Sequence, residues 1–576
     1  MPSESPSFGQ HIETNWASPL RPMNHPNRRD FIQAIGSSAA VATAYRLSGS
    51  WLSAQSNSNP AIPDSLFRAI DFDPLPISHA DEVLLPKGFH HEVLISRGAR
   101  LNERGDTFGD DNDFIAILPR GDSEGWLWVN HESTDAVFLL EAAATPDRLT
   151  QEVMGRYLQS MGGSCIRISK NRKGVWRPLL PDPRNFRLTG HTPNIPFTGP
   201  AAGTSWLKGA KTAVGSVANC GGAVTPWGTI ITAEENVFAV YGDPEQGDPP
   251  TLVNRYFDRP PEHYGYLVEV DPDTGEFWKH TALGRFAHEN IVFATAKDGR
   301  LVGYMGDDRV RQCLYKYISR DRFDPAAGKT NRRLLHDGTI YVADTNKGRW
   351  IPLDPTQQRP LAAARFDRAR ICVHTRTAAM MCGGTPHGRP EGITRNGETG
   401  EVFISLSSHP YTSSNAWVDP NRPINLAGAI AKLKESGKDP GALDFSFSIH
   451  LMSGQDTGLA WPDNLSFITD QHLMICSDYK GHYPPGPRST HGVFGNNLLT
   501  IAPLVGPNAG RVQRFASAPR EAEFASPILT PDQRELWVSV QHPGEGSTSA
   551  ETLISHWPQG GKAWPRSSVI AIARNT

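Results

Sequence analysis

The run Asn219-Cys220-Gly221-Gly222-Ala223-Val224-Thr225-Pro226-Trp227-Gly228-Thr229-Ile230-Ile231-Thr232-Ala233-Glu234-Glu235 sets a cysteine in a glycine-rich turn, a short β-branched strand after it, and two carboxylates at the far end. Gly221 and Gly222 let the backbone take φ > 0 and bring the Cys220 sulfur close to a ligand. Thr229 to Thr232 read as a buried strand, because β-branched side chains suit a pleated surface. A soft thiolate facing hard carboxylate oxygens suits metals of two characters. The same residues also read as a structural thiol in a tight turn followed by solvated glutamates. Recurrence of the pattern separates the two readings.

The layout recurs along the chain as an acidic or polar group, a short apolar segment, a turn, an apolar strand, and a closing acid or histidine. Its six copies run from Asp111-Asn112-Asp113 to Asn130-His131-Glu132, from Cys220 to Glu235, and from His288-Glu289 to Asp307-Asp308. They continue from Arg389-Pro390-Glu391 to Ser407-Ser408-His409, from Asp463-Asn464 to Ser477-Asp478, and from Ser526-Pro527 to Gln541-His542. Six strand-turn-strand units predict an all-β chain folded as a six-bladed β-propeller-like domain with insertions. Intervening hairpins such as Tyr266 to Val270 supply outer strands. Asp271 to Gly275 reads as a hairpin turn rather than a calcium loop. In a propeller the two ends of each unit open on one face around the axis, so the acids are expected to converge there.

Composition agrees. Glycine (53) and proline (47) favour many turns, and 14 tryptophans add to the β leaning. The net charge of -3 argues against a nucleic-acid partner or an anionic membrane surface. Near the start, Asn27-Arg28-Arg29-Asp30-Phe31-Ile32 precedes a weakly apolar run from Ala34 to Ala44, resembling a twin-arginine export signal. That run is too short and too interrupted to span a bilayer, so no stable membrane insertion is expected. The domain reading is therefore residues 1–60 as export signal and linker, and 61–576 as a single β-propeller catalytic domain. Cys165 and Cys476 lie in apolar strand-like runs and read as buried thiols. Cys220 and Cys382 are each followed by two glycines and a Thr-Pro.

The axial pocket has Glu132, Glu234, Glu235, Glu289, Asp307, Asp308, Glu391 and Asp463 as candidates. So many carboxylates repel one another unless cations neutralise them. Oxygen-rich sites suit calcium, and Cys220 with carboxylates suits iron or zinc. Arg389 is the natural anion clamp, since its planar fork matches phosphate or carboxylate. His131 and His288 read as supporting rather than ligating residues. No nucleophile elbow, phosphate-binding loop or dinucleotide fingerprint is present, which favours a metal-activated oxygen nucleophile.

Together, the twin-arginine run, Asn130-His131-Glu132, Asn219-Cys220-Gly221-Gly222 with Thr225-Pro226-Trp227-Gly228-Thr229, and Phe286-Ala287-His288-Glu289 resemble PhoX-type alkaline phosphatases. Met305-Gly306-Asp307-Asp308, Arg389-Pro390-Glu391 and Val540-Gln541-His542-Pro543-Gly544-Glu545 add to the resemblance. It implies an exported, periplasmic or secreted monomer that hydrolyses small phosphate monoesters with Ca2+ and Fe3+. It further implies that Cys220, Glu289 and Glu391 hold iron and take part in catalysis. Glu132, Glu234, Glu235, Asp307 and Asp308 would serve calcium or its surroundings, and Arg389 would bind the phosphoryl oxygens. A metal-bridging oxygen would attack phosphorus in line. The chain departs from the family pattern at Ala233, where a cysteine is usual, and at Ser407-Ser408-His409, where a Thr-Asn-Asn-like turn is usual. A calcium-stiffened binding propeller and a calcium-dependent lactonase or other ester hydrolase are the competing readings.

Overall fold

The six expected units become the two innermost, antiparallel strands of six blades in a computed structural model, which describes residues 65–67, 71–243, 245, 247–407, 427–480 and 494–575. The export segment expected over residues 1–60, and Ser408-His409 of the fourth unit, lie outside the described residues. The described residues fall within one compact unit, Ser53–Thr576.

The innermost strands are Asn112–Pro119, Asn219–Val224, His288–Thr295, Pro390–Arg395, Pro462–Thr469 and Glu523–Leu529. Each packs against the next, and the last returns to the first, so a ring of six surrounds one axis. Their partners, moving outward, are Glu124–His131, Ile230–Glu234, Arg300–Asp307, Val402–Leu406, His472–Ser477 and Leu536–Gln541. The sixth unit begins at Glu523, three residues before the expected Ser526, which brings an unexpected acid to the start of its strand.

The core is divided among the interfaces between blades. Along Asn112–Pro119, Ile115 and Ile117 pack with Trp537 and Val569 of blade six. Phe114, Ala116 and Leu118 pack with Ile230 and Val268 of blade two. Both faces of such a strand are buried, so it reads as a nearly continuous apolar run rather than an alternating one. The ring closes by exchange between the chain's two ends. Phe89–Ser96 pairs antiparallel with Ser568–Arg574, and so forms the outer strand of the blade built from the last residues.

Asp271 to Gly275 is the expected hairpin turn between Leu267–Asp271 and Glu276–His280. Asp271 and Asp273 are paired to Lys329 at 2.6 and 2.8 Å, so their charge is already met. Short helices fill the insertions; among them Thr375–Met381 precedes the fourth blade. All six cysteines are free thiols. Among the described residues, no helix is long and apolar enough to cross a membrane.

Candidate metal centre and active site

A β-bulge marks the innermost strand pair of every blade. Asn112 opposes His131 and Ile115 opposes Val129, so three steps on the inner strand face two on its partner. The same extra residue occurs between Asn219 and Gly222, His288 and Ile291, Pro390 and Ile393, Pro462 and Leu465, and Ala525 and Ile528. A bulge bends its strand and re-aims the side chain within it. In five blades that side chain is the strand's second residue: Asp113, Cys220, Glu289, Glu391 and Asp463. Glu523 opens the sixth strand.

These residues meet the groups that end the neighbouring strands. Donor atoms lie within 4.8 Å of one another in Asp113/Glu132/Cys220, Cys220/Glu235/Glu289, Glu235/Asp308/Glu391 and Glu289/Glu391/Asp463. A further group is Asp478/Glu523/His542. The Cys220 Sγ lies 3.2 Å from Asp113 Oδ2 and 3.1 Å from Glu289 Oε2, either of which can accept its single S–H. Half-buried Glu132 accepts from Asn236 at 3.1 Å and from Gln541 at 2.7 Å.

Of the expected residues, Cys220, Glu289, Glu391, Glu132, Glu235 and Asp308 are brought together. Glu234 and Asp307 are not, and strand alternation explains both corrections. Glu234 is the last residue of its strand and points away from its neighbour Glu235. It forms a fully buried ion pair with Lys279 at 2.7 Å and also accepts from Ser216 and the Gly265 N–H. Asp307 likewise ends its strand and takes a two-point bond from Arg376, at 2.6 and 2.8 Å, plus the Ala287 N–H. His131 bonds Ser164 and the Asp110 carbonyl, and His288 stacks on Phe286, both as supporting residues. Cys382 shares the Cys-Gly-Gly-Thr-Pro pattern yet sits at the end of helix Thr375–Met381, away from these groups.

Sequence reasoning did not select Asp113, Asp478, Glu523 or His542 as site residues. Three of them close or open repeat units and carried that signal. Glu523 lay outside the unit as drawn.

Without cations the acids of the cluster do not all ionise together. Burial, and then Glu132, pushes the Asp113 carboxyl up to about 8. Burial with neighbouring acids also raises Glu235, Glu289, Asp463 and Glu523 well above the usual range. The Cys220 thiol rises for the same reasons. Asp308 goes the other way: although burial opposes its charge, Arg389 holds it below the usual carboxylate range. Arg389 Nη2 lies 2.7 Å from both Asp308 Oδ2 and Glu391 Oε1, and its side chain keeps 27% exposure. Buried oxygens of Asp113, Asp308, Asp478 and Glu523 have no hydrogen-bond donor among the described residues. Buried polar atoms are ordinarily satisfied, so bare oxygens around a thiol fit cations of both hard and soft character.

A family model described as alkaline phosphatase PhoX matches residues 70–544. The chain belongs to that family. It is therefore a metal-dependent phosphatase, and the binding-propeller and lactonase readings are not favoured. A solved structure, "Pseudomonas fluorescens PhoX in complex with vanadate, a transition state analogue", is 27% identical with a TM-score of 0.76. The match covers 87% of this chain and 98% of that one. A gluconolactonase from Xanthomonas campestris is 10% identical over 90% of this chain and 99% of its own, with a TM-score of 0.33. No curated protein sequence matches. Within the PhoX family frame, the six-bladed ring and the acids at its axis are the parts of this chain that bear on chemistry.

Proposed function

We propose that this PhoX-family phosphatase is exported through the twin-arginine route and hydrolyses small phosphate monoesters at the axial cluster with calcium and ferric iron. One observation carries the reading: buried carboxylates from several blades converge with a single cysteine, and some of their oxygens lack any donor among the described residues. Cys220, Glu289 and Glu391 are the residues that would hold iron, with the sulfur as soft ligand. Glu132, Glu235 and Asp308 would hold calcium, joined by Asp113, Asp463, Asp478 and Glu523. When bound, the cations neutralise the carboxylates and supply Lewis acidity toward a phosphate ester.

Arg389 is the residue that receives the substrate. Its φ of 52° is left-handed, uncommon for a residue with a side chain, and aims the guanidinium at the cluster's rim. Asp308 and Glu391 share one nitrogen, Nη2, and hold the fork in place. A planar guanidinium can bind two phosphoryl oxygens and stabilise the charge that develops on them. Glu234 with Lys279, and Asp307 with Arg376, brace the strand ends that carry Glu235 and Asp308.

The test is elemental analysis of the exported protein, paired with hydrolysis of p-nitrophenyl phosphate with and without chelator. Bound calcium and iron with chelator-sensitive turnover are expected, together with a loss of about 100-fold or more in kcat/KM for Arg389→Ala. A protein holding neither metal, or turning over unchanged in chelator, would refute the reading. Arg28→Lys with Arg29→Lys is expected to retain the chain in the bacterial cytoplasm.

A further inference from the structure

Asn464 follows Asp463 on the fifth inner strand and is 7% exposed. Its side-chain oxygen accepts the Ser526 backbone N–H, across the interface with blade six, at 2.6 Å. A backbone N–H can only donate, so this bond fixes which end of the amide is oxygen. The amide NH2 must then face the cluster, where it lies 3.1 Å from Glu289 Oε1 and 3.1 Å from Asp463 Oδ1. Held this way, Asn464 presents no oxygen to a cation.

Glu289 belongs to two of the donor groups, one with Cys220 and Glu235 and one with Glu391 and Asp463. Among the described residues its carboxylate makes two hydrogen bonds: Oε1 to Asn464 and Oε2 to the Cys220 sulfur at 3.1 Å. One oxygen is therefore tied to blade five and the other aimed at the thiol. We propose that Asn464 is a positioning residue, an amide locked by blade six so that it orients the shared carboxylate Glu289 and its neighbour Asp463 for cation binding. Groups that hydrogen-bond a ligating carboxylate fix its orientation and tune its affinity.

The fold supplies its own control. Asn290, the residue after Glu289, spans the interface between the third and fourth blades in a similar way. It donates to the Ile393 carbonyl at 2.9 Å and accepts the Ile393 N–H at 3.1 Å. Both of those bonds go to backbone, and neither involves a cluster carboxylate. If Asn464 merely stitches blades, truncating it must resemble truncating Asn290.

The inference rests on the metal-centre reading, and the experiment separates the two. Full-length wild type, Asn464→Ala and Asn290→Ala are stripped with chelator, checked by circular dichroism and thermal midpoint, and titrated with calcium against a chromophoric competitor. Iron per chain is measured on protein as purified. Both variants are expected to lower the midpoint of the stripped chain. Only Asn464→Ala is expected to weaken calcium affinity by about 10- to 100-fold, and to lower iron per chain and kcat. If that variant does not fold, Asn464→Ser, whose hydroxyl can still donate to one carboxylate, is read the same way with a smaller expected loss. Metal affinity unchanged at 464, or weakened equally at 290 and 464, overturns the assignment. A wild-type chain that binds no cation overturns the metal-centre reading and this assignment with it.

Discussion

Glu234 and Glu235 are adjacent in sequence and both buried, yet they face different partners. Glu234 meets the Lys279 ammonium at 2.7 Å with neither side chain exposed. Removing one member of a buried pair leaves the other charge without compensation. Glu234→Gln is therefore expected to cost about 3–5 kcal/mol, read as a lowered urea midpoint of the chelated chain. Glu235 instead stands among like charges, with Asp308 the largest electrostatic influence after burial. Glu235→Gln is expected to stabilise the chelated chain slightly while lowering metal content and turnover. If the two variants behaved alike, the assignment of Glu234 to the scaffold would be wrong. The doubled acids at 234–235 and 307–308 were visible in the sequence as candidates. Which member of each pair reaches the axis was not, because that depends on where the strand ends and its alternation stops.

At the scale of the element, the inner strands combine a bulge with glycines where backbones pass closely. A Cβ on Gly221 would lie 1.9 Å from the Glu289 carbonyl oxygen, and one on Gly392 2.6 Å from that of Asp463. No side chain rotation relieves a clash with backbone, so the blades themselves must separate. Gly221→Ala is expected to destabilise by at least about 1–3 kcal/mol and to weaken metal binding, because the displaced backbone carries Glu289. A urea midpoint and calcium affinity equal to wild type would show that the strands can part without cost. The Cys220-Gly221-Gly222 run, read as a turn with φ > 0 that brings the sulfur to a ligand, lies instead inside the strand Asn219–Val224 with neither glycine at positive φ, and what passes closely is a neighbouring blade's backbone. Both glycines serve packing, and the cysteine ahead of them serves the cluster.

For the whole molecule, the concentration of buried acids sets a pH dependence. Asp113 is raised to about 8 in the folded chain without cations, while in an unfolded chain it titrates in the ordinary carboxylate range. Such a group contributes stability that is fully present below its unfolded value and lost as pH rises through about 8. Between these limits the folded state keeps a proton that the unfolded state has released. Stability therefore falls by up to about 1.4 kcal/mol per pH unit for each such group. Chelated protein is expected to show a thermal midpoint that falls from pH 6 to 8, and metal-loaded protein a shallower slope, since cations replace the retained protons. A chelated chain whose midpoint rises over that interval would contradict the arrangement. The midpoint is also expected to depend on the closure of the sixth blade, where Phe89–Ser96 pairs with Ser568–Arg574.

By itself the sequence determined the number of repeats, their β character, and the residue types at their ends, because turns and apolar strands are local properties. From these followed the six blades and an acidic axis around Cys220. Tertiary structure alone decided which acids come within reach of one another. Asp113, Cys220, Glu289, Glu391 and Asp463 come from five blades far apart in the chain, and the bulges that turn them inward leave no local residue pattern. The same holds for Glu234 and Asp307, whose fates rest on Lys279 and Arg376, distant in sequence and close only once the blades have packed.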